Sequence, residues 1–110
     1  MARYTHRSPT RNVGASAAGN NTTGAASLTV TTTRARAVVY GVGNDWDGSL
    51  ARTLITGETM VHQWVDSGIG DTFWTQATAG PVANAGTNVR LGTTAPTQDR
   101  WNFAVVEIVP

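Results

Sequence analysis

Three groups of side chains in this chain could do chemistry. The first is Asn44-Asp45-Trp46-Asp47, where two carboxylates flank an indole directly after the strand-like run Ala37–Val42 and Gly43. In extended geometry Asp45 and Asp47 point the same way, with Trp46 opposite. Two such carboxylates, with a carbonyl oxygen from Asn44, suit a hard divalent cation such as calcium. The same residues are also turn formers, because Asn and Asp accept backbone N–H bonds and tolerate left-handed conformations. Gly48 is not followed by the spaced glutamate that a calcium-binding helix–loop–helix needs.

The second group centres on His62, set between Met60 and Trp64. It reads either as a packed histidine with a satisfied ring nitrogen or as a metal ligand or general base. One histidine is too few for a catalytic zinc site, which uses three protein ligands. A subunit interface would raise the count by bringing His62 from two copies together. Asp45, Asp47, Asp66, Asp71 or Glu107 could complete such a site, and His6 is a weaker addition. Zinc, manganese or calcium are the cations it would take. The third candidate is Glu107, on an otherwise apolar strand face. A carboxylate there must be paired, at a strand end, or raised in pKa. Facing His62, it would form a reactive pair.

Trp46, Trp64, Trp74 and Trp101 make a dense set of indoles, either packed in a core or stacked on sugar rings. Trp46, in the polar turn, is the best placed for exposure. No serine sits in a G-x-S-x-G elbow, and Gly41-Val42-Gly43 lacks the helix that a phosphate-binding loop requires.

The elements that position these residues read as β-structure. The 110 residues hold one small domain, and no cysteine staples it. The charged fraction is 14% and the net charge +1, with all eight basic residues arginine, which argues against nucleic acid as partner. No apolar run is long enough to span a membrane. Residues 1–24, with Arg3, His6, Arg7 and Arg11 before a Gly/Ala/Ser/Asn/Thr stretch, read as a flexible leader. Residues 25–110 read as the folded domain. Candidate strands are Ala26–Thr33, Ala37–Val42, Ala51–Thr56, Thr59–Asp66, Thr72–Thr78, Thr87–Leu91 and Arg100–Val109, with turns at Gly43–Gly48, Gly57-Glu58, Ser67–Gly70, Gly80–Gly86 and Thr93–Gln98. The spacing predicts an all-β fold, an antiparallel sandwich or barrel. Alternation puts Met60, His62 and Trp64 on one face, and Trp101, Phe103, Val105, Glu107 and Val109 on one face. Several strands are apolar on both sides and so need cover on both, from a second sheet or another chain.

Ordered blocks then carry a resemblance. They are Val13–Ser16, Leu28–Ala35, Gly41–Asp47, Ala51–Thr53, Val61–Gln63, Gly70–Trp74 and Thr94–Asn102. Together they resemble the C-terminal part of a jelly-roll-like β-sandwich module known from large secreted bacterial surface proteins and glycosidase-associated multidomain chains. The resemblance implies a sandwich fold and assigns no catalytic residue. It also implies that N-terminal strands of the module are missing, which would leave an open edge and an uncovered apolar face. A homo-oligomer, most simply a two-fold dimer, would complete such a partial sandwich. The related modules are extracellular, whereas no signal peptide is visible in this chain, which points to the cytoplasm wherever it is expressed.

Two functions follow as expectations. One is a non-catalytic binding or interaction module, for carbohydrate or a small molecule, using Asn44 and Trp46 with Asp45 and Asp47. The other is a small metal-dependent hydrolase, acting on substrates such as phosphate esters, with His62 and Glu107 catalytic and carboxylates gathered at a subunit interface.

Overall fold

A computed structural model describes residues 12–110. They form eight strands: β1 (Val13–Asn21), β2 (Ser27–Thr31), β3 (Val38–Asp45), β4 (Thr53–Leu54), β5 (Glu58–Asp66), β6 (Asp71–Thr78), β7 (Asn88–Ala95) and β8 (Trp101–Ile108). A five-stranded sheet, in the order β1-β8-β3-β6-β5, faces a three-stranded sheet, β2-β7-β4, and every pairing is antiparallel. This is the expected β-sandwich. Among the described residues, no helix is long and apolar enough to cross a membrane.

The core lies between the sheets. Val39, Trp74, Phe103 and Val105 of the large sheet pack against Ala26, Val30 and Leu91 of the small one and its approach. Trp74 and Phe103 stack with ring centroids 5.7 Å apart. Both pair with Gly43, one from each side. A Cβ on Gly43 would fall 2.2 Å from the Trp74 ring. Gly43 is therefore inside β3 and not the start of a turn, as the sequence suggested. Its missing side chain is the space the indole occupies.

Three expectations about strands change. Val13–Asn21, read as part of a leader, is the edge strand β1, paired along β8 from Val13↔Ile108 to Asn21↔Trp101. Its composition is poor in β-formers, but Ala15 and Ala17 alternate inward onto the core. Residues 1–11, with Arg3, His6, Arg7 and Arg11, lie outside the described residues. The strand expected over Ala51–Thr56 shrinks to the two residues of β4. In β5 a bulge between Met60 and His62 breaks the alternation. The extra residue turns Met60 onto the core and leaves His62 and Trp64 on the opposite face.

Among the described residues, the large sheet is covered on its inner face only. Its outer face exposes Tyr40, Val42, Trp64, Phe73 and Ile108. The need for cover on both sides, read from strands apolar on both faces, is met on one side by the described residues.

Candidate functional site

Asp45 and Glu107 both sit on the inner face of the large sheet, near opposite ends, and both are fully buried. Each carboxylate is consumed by structure. Asp45 ion-pairs with Arg52, whose guanidinium lies over Trp74 at 4.9 Å from the ring centroid. Its other oxygen accepts the Asp47 N–H at 2.8 Å, a short-range turn bond of the kind Asp residues favour. Asp47 itself points outward, 3.7 Å from Arg100 Nε. The two carboxylates thus do not point the same way, because the chain bends immediately after β3. Asp99 completes this end, 3.9 Å from Arg52. Burial, and then the nearby Asp45 carboxylate, hold the Asp99 carboxyl above the ordinary range.

Glu107 closes the other end. Its Oε1 accepts the Ala15 N–H at 2.9 Å and the Thr33 hydroxyl at 2.8 Å. Its Oε2 accepts the Thr33 N–H at 2.8 Å and the Arg34 N–H at 3.2 Å. Burial would push this carboxyl up, but the four hydrogen bonds outweigh burial and hold it below the ordinary range. A Cβ on Gly14 would fall 2.1 Å from Oε1, so the glycine makes room for the carboxylate. Of the three outcomes the sequence allowed for Glu107, the strand end is the one observed: it lies one residue from the end of β8, where neighbouring N–H and hydroxyl donors reach it.

His62 does not meet Glu107. It is exposed on the outer face of β5, with β6 and β3 between it and β8, while Glu107 faces inward. Among the described residues, no group of three or more His, Cys, Asp or Glu converges to hold a metal ion. Of the indoles, Trp74 is buried, whereas Trp46 and Trp64 are 45% and 58% exposed.

What the fold does assemble is a trough across the outer face of the large sheet. Strand register sets side chains from all five strands in one row: Asn20, Asn102, Asn44, Phe73 and Trp64. The adjacent row is Ala18, Ala104, Val42, Thr75 and His62. Small side chains in the middle of the second row form a hollow of about 500 Å³, with Asn20, Asn44, Asn102, Phe73 and His62 on its walls. A second hollow of about 540 Å³ continues it toward Tyr40 and shares Ala18, Val42 and Ala104. Trp64 and Phe73 lie beside each other, centroids 5.8 Å apart and planes tilted by 31°. Asn44 donates to the Thr72 carbonyl at 3.3 Å. The carboxamides of Asn20 and Asn102 are exposed at the surface.

Neither hollow is lined by an Asp, Glu or Arg. The arrangement can therefore present flat apolar surface and neutral hydrogen-bonding groups side by side. Three residues singled out from sequence, Asn44, His62 and Trp64, belong to it. Trp46 and the two aspartates do not line it. Asn20, Asn102, Val42 and Phe73 were missed, since only strand register brings them together. In comparisons with known proteins, no family model, no curated protein and no solved structure matches this chain.

Proposed function

We propose that the chain is a non-catalytic carbohydrate-binding module and that the outer face of the large sheet is its binding surface. The observation that carries this reading is the row of three asparagines running directly into the Phe73–Trp64 pair. A carboxamide offers a donor and an acceptor side by side, matching neighbouring hydroxyls of a sugar. An aromatic ring offers apolar area to the C–H face of a pyranose. An open trough with few polar groups among apolar ones is the usual form of a small-ligand site. Buried, fully bonded Asp45 and Glu107 support a scaffold role for the carboxylates rather than a catalytic one.

Native affinity electrophoresis in gels containing dissolved plant or bacterial polysaccharides tests this. Wild type is expected to be retarded by at least one of them. Val42, 59% exposed at the centre of both hollows, is the position to block. Val42→Arg should abolish retardation with little change in melting temperature, and Trp64→Ala should weaken binding roughly tenfold, about 1.4 kcal/mol. Trp46→Ala should bind as wild type. Retardation by no polysaccharide, or full retention by Val42→Arg, would overturn the proposal.

A further inference from the structure

The shape and charge of the trough specify the class of glycan. Resting on the carbohydrate-binding reading, we infer that the trough takes an internal stretch of a neutral, extended polysaccharide, about four sugar rings long, laid across the strands. Three observations carry this.

The first is that no described residue forms an end wall to the site. The asparagine–aromatic row begins on β1 and ends on β5, which are the two edges of the sheet. A site for a terminal sugar must close around it to sense the chain end. Here a chain can run off past Asn20 on one side and past Trp64 on the other. Four strand spacings of about 4.8 Å give the row a length of about 19 Å, or about four rings each roughly one spacing long.

The second is neutrality. The described arginines line neither hollow, and no carboxylate does. A uronate or sulfated chain would lose hydration of its charges on entering the trough with no cation to meet them. A neutral chain carries no such penalty.

The third is the division of the surface into two rows. Carboxamides and aromatic rings form one, and alkyl groups of Ala18, Ala104 and Val42 form most of the other. That pattern fits a ribbon with hydroxyls along its edges and C–H groups on its faces, as in β-linked gluco- or xylo-configured chains. Neighbouring strands are rotated by roughly 20–25° each. The row is therefore twisted, which favours a single dissolved chain over a flat crystalline surface.

Calorimetric titration with neutral β-1,4-linked gluco- and xylo-oligosaccharides, from dimer to hexamer, tests the inference. Affinity should rise at least tenfold from dimer to tetramer and then level off. Reducing the end sugar of the hexamer to its alditol should leave affinity within about twofold, and polygalacturonate fragments of equal length should bind at least tenfold more weakly. A dimer as tight as the hexamer, loss of binding on end reduction, or preference for the charged chain would overturn this inference while leaving the carbohydrate reading standing. Binding of charged or neutral sugars of no kind would overturn both.

Discussion

Arg52→Met should destabilise the fold by roughly 3–5 kcal/mol, because it leaves a fully buried carboxylate without its partner. At ~4–8 °C per kcal/mol for a domain of this size, the melting temperature should fall by more than about 12 °C. The geometry explains the size of the effect. Among the described residues Arg52 is the one cation paired with Asp45, its NH1 donates to the Leu50 carbonyl at 3.3 Å, and its guanidinium covers the Trp74 ring. Its backbone N–H is held by Gln63 Oε1 at 2.6 Å, so the loop carrying it is tied to β5. Methionine keeps the apolar stem and the packing on Trp74 but abandons Asp45. A second change, Asp45→Asn, should restore part of the lost stability, since it removes the stranded charge. Thermal melts of the three variants by circular dichroism provide the check. An Arg52→Met protein as stable as wild type would show that the Asp45 carboxylate has another partner.

Glu107→Gln should be nearly as damaging, on the order of 3–5 kcal/mol. Each carboxylate oxygen accepts two hydrogen bonds, and the amide nitrogen of glutamine can accept none. Two donors would then face a donor in a buried site. The loss should also be pH-dependent. The folded-state pKa lies below the ordinary value of 4.5, so the carboxylate contributes stability above that pH and loses it as pH falls through the folded value. The gap in melting temperature between wild type and Glu107→Gln should thus be widest near neutrality and narrow in acid. Asp99 and Glu58 act with the opposite sign. Burial holds both carboxyls above the ordinary range, so their ionisation as pH rises weakens the fold. They are unchanged in the variant, and the difference between the two proteins isolates Glu107. A gap that stayed constant from about pH 7 to pH 3 would contradict the assignment.

Most of the architecture was legible in the sequence because its strands alternate. Thr59–Asp66, Thr72–Thr78 and Arg100–Val109 match β5, β6 and β8 to within a residue at each end. β1 was not legible, because Gly, Ala, Ser and Asn have low strand propensity. Its stability comes from pairing with β8 and from the small residues that fit beneath. The bulge in β5 was also hidden, since one extra residue leaves no mark in composition yet moves Met60 to the core. Asp45 read as a turn carboxylate, and that is half of what it does. Its burial depends on Arg52, seven residues on, and on Asp99, far along the chain. The trough was beyond reach for the same reason. Asn20, Asn44 and Asn102 are unremarkable singly and become a row only when β1, β8 and β3 lie in register.

The central claim is that the outer face of the large sheet holds a glycan. Amide and indole chemical-shift mapping of the whole chain with a saturating neutral β-1,4-linked hexasaccharide tests it most directly. The predicted result is a set of shifts at Asn20, Val42, Asn44, Phe73 and Asn102 and at the Trp64 indole, with the Trp46 indole unmoved. Shifts confined to Asp45–Gly48 and the Trp46 indole, or no shifts with any neutral glycan, would contradict it.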